Sequence, residues 1–311
     1  MNNTKRYSVS VIICTYTRAD SLRDTLNSLL LLDLKDINFE LIVVDNNSKD
    51  NTKDVVKDFT KIADFPVKYH FEQRQGLSYA RNTGIEQSSG DYLFFTDDDV
   101  IPESDWLFQT LEGIEKYNCI ACGGYIAPLW LGDNKPVWLT EIFYGFIAIK
   151  TDKQGPKQLD LSSDLPFGAN MAFKRTVFEK YGLFNVERGR KGNNLASGED
   201  GELFERLIKA NESVYYFPDS KVKHKVEEFR QKKSYFRRWR YQASKNLAIV
   251  NDLPGKKRIF GIPLYLFHQM FRAIWTALIF RITKPEDEAF YKEMVVFHFF
   301  GTINGLFKRY K

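Results

Sequence analysis

The chain opens with Ser8-Val9-Ser10-Val11-Ile12-Ile13-Cys14, a largely β-branched run of the kind a strand buried on both faces requires. The apolar period then changes. Leu22, Leu26, Leu29 and Leu30 recur at helical spacing behind Asp20, a residue able to cap a helix start. Phe39-Glu40-Leu41-Ile42-Val43-Val44 returns to the strand pattern and ends in Asp45. The same alternation predicts a helix over 52–60, a short strand over 67–71, a helix over 77–86 and a strand over 92–96. Repeated strand–helix units give a mostly parallel sheet with helices on both faces. Past Val100 the alternation loosens. Helices are predicted over 107–116 and 199–210. Residues 119–170, rich in Gly, Pro and Trp, read as loops with short strands, and 166–171 as one such strand.

The last fifty residues have another character. Residues 259–282 are almost all apolar, yet Tyr265, Gln269, Arg272 and Thr276 share one stripe at helical spacing. Arg272 in mid-segment is costly for a lone spanning helix, and the longest uninterrupted apolar run, 273–280, is too short to cross a bilayer. A second aromatic-rich stretch over 289–307 is broken by Gly301 and Gly305. We read a pair of helices lying in a membrane interface. A helical subdomain packed on the core or in a homodimer, and a true span or re-entrant hairpin, are the alternatives.

A chain of 311 residues has room for one large domain or a domain with an appendage. The change of pattern divides it into an α/β domain over 1–225 and a basic, amphipathic helical extension over 226–311. Charge sharpens that division. The net charge is only +5, but residues 221–258 carry thirteen Lys and Arg against three acids, so this block is +10 and the remainder −5. Such a block suits a polyanionic neighbour: anionic headgroups, a lipid phosphate or nucleic acid. It holds no recognisable nucleic-acid motif and precedes apolar helices, so nucleic acid is the weakest of the three. Three cysteines make no disulfide framework and suit a reducing cytoplasm. Cys119-x-x-Cys122 has no second pair and no nearby His, and reads as packing rather than a zinc site. The first six residues lack the apolar core of a cleaved signal peptide.

Candidate chemistry begins at Thr96-Asp97-Asp98-Asp99-Val100. Adjacent carboxylates repel, so packing gives no reason to place them at a strand end. A divalent cation gives one, since Mg²⁺ and Mn²⁺ take carboxylate and phosphate oxygens, and a strand end is where an open α/β sheet holds its ligand. A solvated acidic turn is the competing reading. Asp45 could accept two hydrogen bonds from a base or ribose, or simply start a turn with Asn46-Asn47. Thr15-Tyr16-Thr17-Arg18 ends the first strand, where polar groups could meet a base and a diphosphate. Neither G-x-G-x-x-G nor the P-loop pattern occurs, which argues against a dinucleotide oxidoreductase and a P-loop NTPase. Arg81 and Asn82 could bond a nucleotide or brace their loop. The small residues of Gly168-Ala169-Asn170 leave room for a sugar ring, and Asn170 could bond a hydroxyl. Glu199 and Asp200 open a helix, where the dipole alone favours acids, but Asp200 between glycines could also serve as a general base. His224, among lysines, is either structural or a ligand to a metal or phosphate.

Taken in order over about residues 7–240, these motifs resemble the family 2 glycosyltransferases, which have the GT-A fold. The resemblance rests on Val11–Arg18, Val43–Ser48, Gly76–Asn82, Thr96–Asp99, Gly168–Asn170 and Gly198–Asp200, each weak alone and specific in series. It implies an inverting transfer from a nucleotide-diphosphate sugar, UDP favoured, to a hydroxyl of a glycan or lipid-linked acceptor. It implies Asp45 at the nucleotide base with Thr15, Tyr16 and Arg18 beside it, and Arg81, Asn170 and Glu199 in the donor-binding set. Asp97 and Asp99 match the outer acids of the D-x-D motif that holds Mn²⁺ or Mg²⁺. Asp98 leaves the register open and otherwise joins the donor set. Asp200 matches the catalytic base, and His224 a histidine that approaches the metal or diphosphate. The basic and aromatic tail is similar to that of members acting at a membrane surface, which implies a peripheral enzyme on the inner face of the cell membrane. A non-catalytic nucleotide-sugar binding protein of the same fold is the alternative.

Overall fold

The computed structural model describes residues 6–132, 135–187 and 198–310; Ser197 and the opening residues 1–5 lie outside them. The described chain forms two compact units, one built from 6–129, 148–187 and 198–225, the other from 130–132, 135–147 and 226–310.

The first unit begins with β1 (Tyr7–Thr15), α1 (Ala19–Leu29), β2 (Ile37–Asp45), α2 (Thr52–Thr60), β3 (Val67–Phe71), α3 (Leu77–Gln87) and β4 (Tyr92–Asp97), in the predicted order. These strands pair in parallel as β3-β2-β1-β4. Val9, Val11 and Ile13 on one face of β1 and Ser10 and Ile12 on the other are all buried, as in a strand covered on both faces. Gly84 lets α3 lie against β1, because a Cβ there would come 2.4 Å from Ile12 Cγ2. The register sets Thr15 beside Asp45 and Cys14 beside Asp97, so three predicted site segments end at one carboxyl edge of the sheet. Helix α1 departs from expectation at its start. Arg18 occupies the N-cap and Asp20 falls in the first turn, while the Ala19 amide donates to the Asp50 carboxylate at 2.9 Å.

The unit continues with β5 (Val100–Pro102), α4 (Trp106–Tyr117), β6 (Ala121–Trp130), β7 (Lys157–Gln158), β8 (Met171–Lys174), α5 (Thr176–Tyr181), α6 (Glu199–Lys209) and β9 (Val214–Val226). The sheet runs on as β4-β8-β6-β9-β5, with β7 also on β9. Pairing is antiparallel between β4 and β8, β6 and β8, and β5 and β9. The segment expected to be loops therefore holds a ten-residue strand, β6. Its glycines hide it from the pattern and exist for packing: a Cβ on Gly123 would lie 2.2 Å from Pro166, and one on Gly124 2.3 Å from the Ser220 carbonyl. Residues 166–170 are the turn into β8 rather than a strand. The β5–β9 register pairs Val100 with His224, which carries that histidine to the end of the acidic trio. Cys119 and Cys122 are free and buried, and burial pushes the Cys119 thiol up to about 12.

The second unit contains α7 (Lys233–Val250), the hairpin β10 (Arg258–Ile259) and β11 (Ile262–Pro263), α8 (Leu264–Thr283) and α9 (Glu286–Arg309). Gly301 and Gly305 do not break α9. They bring it close to α7: a Cβ on either would sit 2.3 Å from a backbone carbonyl, of Tyr241 and Lys245 respectively. Trp138, Phe143, Phe236 and Phe290 form an edge-to-face aromatic core. Lys233 pairs with Glu286 and Arg237 with Glu293, each at 2.6 Å, so these two cations tie α7 to α9. Among the described residues no helix is long and apolar enough to cross a membrane.

Candidate active site

Strand ends build the site. Asp97 closes β4, Asp99 immediately precedes β5, and β9 delivers His224 across from Val100. One ligand atom from each of Asp97, Asp99 and His224 lies within 4.8 Å of the others. Asp99 and His224 are buried, with His224 Nε2 3.1 Å from Asp99 Oδ1. Two carboxylate oxygens and an imidazole nitrogen suit Mn²⁺ and, less selectively, Mg²⁺. The donor set therefore fits the expected ion.

Asp98 has a different setting. Its carboxylate accepts from the Thr15 hydroxyl at 2.7 Å and lies 3.0 Å from Arg18 Nη1, and its carbonyl accepts from Thr25. Burial pushes this carboxyl up to about 6, against the pull of Arg18 and with the push of Asp99. The outer acids converge with His224, and Asp98 turns under the β1 end. Arg18 also reaches Asp99, at 2.9 Å, and links both acids to the start of α1. Tyr16 lies half-buried between Thr15 and Arg18.

Asp45 is buried at the end of β2. Its carboxylate accepts from the Ser48 amide at 2.8 Å and the Tyr69 hydroxyl at 2.7 Å. Asn46, read only as a turn residue, ties the β2 end to the 72–76 segment. Its amide donates to the Glu72 and Arg74 carbonyls and its oxygen accepts from the Gly76 amide. Tyr69 carried a weak signal, a polar-tipped aromatic on a short strand. Asn46 stood beside the chosen Asp45, and its long-range bonds have no mark in sequence.

The other predicted donor ligands are drawn into the protein. Arg81, almost fully buried, pairs with Glu199 at 2.9 Å and lies 3.9 Å from Asp97. Burial disfavours its charge, but Glu199, Asp200 and Asp97 hold it protonated above the ordinary arginine range. Asn82 exchanges hydrogen bonds with the Phe184 backbone. Both side chains make the intramolecular contacts that a bracing role requires. The Asn170 amide donates to the Tyr125 and Ser220 carbonyls, and its oxygen accepts from Trp106 Nε1 at 2.9 Å. This side chain, expected at a sugar hydroxyl, pins the 166–170 turn to three other segments. The space left by Gly168 is likewise taken by Arg81: a Cβ there would lie 1.9 Å from Nη2.

Asp200 stands in the first turn of α6, which starts behind Gly198 at φ +117, a backbone region that favours glycine. Its Oδ2 accepts from the Gly168 amide at 2.8 Å and its Oδ1 from the Gly201 amide at 2.9 Å. Arg81 thus lies among Asp97, Glu199 and Asp200, and joins the α6 carboxylates to the trio. The arrangement offers a cation site, a buried acid at a neighbouring strand end and an oriented carboxylate on one edge of one sheet.

A GT-A sheet with acids grouped at its carboxyl edge defines a glycosyltransferase, and the chain belongs to the glycosyl transferase family 2, whose sequence pattern matches residues 10–182. Within it, the chain is 30% identical over 226 residues to the glucosyl-dolichyl phosphate glucuronosyltransferase of Haloferax volcanii, covering 71% of this chain and 70% of that protein. It is 25% identical over 273 residues to the succinoglycan biosynthesis protein ExoM of Rhizobium meliloti, covering 82% and 80%. Its fold is similar to that of the mannosyltransferase PcManGT from Pyrobaculum calidifontis, solved with GDP-Man and Mn²⁺, with a TM-score of 0.64 at 17% identity over 98% of this chain and 89% of that one.

Proposed function

We propose that this glycosyltransferase moves a sugar from a nucleotide-diphosphate donor, UDP-linked by preference, to a hydroxyl of a glycan or lipid-linked acceptor, with inversion at the anomeric carbon. The observation that carries the reading is the convergence of Asp97, Asp99 and His224 within 4.8 Å at the edge that also holds Asp45. In this reading Asp45 receives the base, with Thr15, Tyr16 and Arg18 lining the approach to the diphosphate. Asp97, Asp99 and His224 would hold Mn²⁺ or Mg²⁺, which when bound supplies charge neutralisation for a diphosphate leaving group. Asp200 takes the proton from the acceptor hydroxyl, whose oxygen attacks the anomeric carbon from the face opposite the diphosphate. Backbone amides of Gly168 and Gly201 orient that carboxylate. Arg81, charged and enclosed, fixes the distance between base and ion site. The named activities of the relatives, on a dolichyl-phosphate-linked sugar and in succinoglycan biosynthesis, support a lipid-linked or polysaccharide acceptor. An acceptor of that kind would be met at the inner face of the cell membrane, and this is where the proposal has the enzyme work.

The test is Asp200→Asn. Loss of a general base lowers turnover by about 10²–10⁴-fold, while binding of UDP with Mn²⁺, read by titration calorimetry, stays at the wild-type value. Turnover kept at the wild-type rate would remove Asp200 from the chemistry.

A further inference from the structure

The second unit leaves an apolar face in solvent. Leu264, Phe271, Trp275, Leu278 and Ile282 recur along one narrow stripe of α8 at 3.6 residues per turn. All are exposed, Trp275 by 68% and Ile282 by 87%. The hairpin leading into α8 adds an independent observation. Phe260 stands at its tip with φ +48 and is 79% exposed. A bulky side chain seldom adopts that backbone region, and a solvent-facing two-residue turn ordinarily takes Asn, Asp or Gly there. The tip is firmly held. The Arg258 guanidinium donates to the Asp252 carboxylate, to the Leu253 carbonyl at 2.6 Å, to the Gly261 carbonyl at 3.1 Å and to the Tyr310 hydroxyl at 2.8 Å. An aromatic ring is thus presented to solvent on a rigid support at the cost of backbone strain.

Charge selects what covers this face. Residues 230–284 contain thirteen Lys and Arg and a single acid, Asp252, which Arg258 engages. Helix α8 has no acid, and Lys256, Lys257, Arg272 and Lys284 around it are exposed. A second copy would set like charge against like. An anionic bilayer sets opposite charge there, and its headgroup region accepts Trp and Phe. We infer that α8 and the hairpin tip seat the chain on an anionic lipid surface, with Phe260, Phe271 and Trp275 entering the headgroup–acyl boundary and Lys256 and Lys257 against the headgroups. The inference rests on the proposed function only for the purpose of the docking. Lys233 and Arg237 of the basic block are engaged with Glu286 and Glu293 of α9 and do not belong to this set.

Sedimentation of the full chain with vesicles tests it without any sugar transfer. Mixed phosphatidylcholine–phosphatidylglycerol vesicles should retain the protein, pure phosphatidylcholine should retain far less, and binding should fall as salt rises. Phe260→Ser and Trp275→Ser should each weaken partitioning by about tenfold, and Lys256→Gln with Lys257→Gln by about tenfold together. Donor hydrolysis in vesicle-free solution stays at the wild-type rate in all of them, which separates loss of docking from failure of the active site. The inference is overturned if anionic vesicles do not retain the wild type, or if the Phe260→Ser/Trp275→Ser double variant binds them undiminished. It is equally overturned if sedimentation velocity shows a wild-type dimer that this double variant dissociates while vesicle binding is unchanged.

Discussion

Arg81 is the residue on which the site's geometry turns. Its guanidinium is enclosed by Glu199, Asp97 and the ring of Phe184, and Gly168 leaves it the space, since a Cβ would lie 1.9 Å from Nη2. Gly168→Ala must therefore push a buried, ion-paired group rather than a free side-chain end. Overpacking of this kind costs about 1–3 kcal/mol. The shift also disturbs Asp200, whose Oδ2 is bonded to the Gly168 amide. We expect the variant to have a lower urea midpoint and transfer activity at least about tenfold down, because small displacements of a catalytic group are expensive. Wild-type stability together with wild-type activity would show that Arg81 does not organise the site. The sequence signalled the importance of Gly168 through its small neighbours, but not the reason. A run of small residues marks a vacancy, and only the fold reveals that an arginine 87 positions upstream fills it. Asn170 teaches the same lesson, since its partners come from Trp106, Tyr125 and Ser220.

Among elements, the parallel half of the sheet was the most legible. Strands covered on both faces must be continuously apolar, so β1, β2 and β4 are visible in the sequence almost to the residue. The exception inside β2 is informative. Glu40 is buried, and its carboxylate accepts from Ser10 of β1 at 2.6 Å and from the Ser89 amide and hydroxyl before β4, and pairs with Lys68 of β3 at 2.7 Å. One side chain thus fastens β2 to three neighbouring segments. Burial works against its charge, but the bonds from Lys68, Ser10 and Ser89 prevail and draw the carboxyl down from its ordinary 4.5 to about 2. A depressed carboxylate stabilises the fold fully above its unfolded pKa and loses that contribution as pH falls through the folded one. Glu40→Gln should accordingly unfold at lower urea than wild type at pH 7, by about 1–3 kcal/mol for lost charged hydrogen bonds. The gap should narrow steadily from about pH 4.5 towards pH 2. A gap independent of pH would mean that packing, not ionisation, is what the substitution removes. The antiparallel half was less legible for a physical reason. Strand β6 is interrupted by close-contact glycines, and the neighbours of β8 and β9 are fixed by sheet order, which local pattern does not encode.

At the scale of the whole chain, two compact units with opposite charge character carry different tasks in our reading, and a ligand that binds one of them should stabilise that one. The trio Asp97, Asp99 and His224 was legible piecemeal: the acids announced themselves, while His224 gained meaning only through resemblance and then through its pairing opposite Val100. If these groups hold the ion together with the donor's diphosphate, Mn²⁺ and UDP must bind with positive coupling, each raising the other's affinity by the same factor. Binding to the folded state alone adds about 2.7 kcal/mol at a hundredfold excess over Kd. Calorimetry of the full chain should therefore show the transition of the site-bearing unit moving upward with Mn²⁺ and UDP together, more than the sum of the two separate shifts. Asp97→Asn is the informative variant, because this side chain is a third exposed and its removal disturbs packing least of the three. It should melt near the wild-type temperature without ligand and lose the coupled shift. An undiminished coupled shift in that variant would place the ion elsewhere, and a larger shift with GDP than with UDP would reassign the donor while leaving the ion site intact. The choice of base would then lie in how Asp45, Tyr69 and the 72–76 segment held by Asn46 present their donors and acceptors, a question that Tyr69→Phe, with one donor to Asp45 removed, answers by its effect on the ratio of the two affinities.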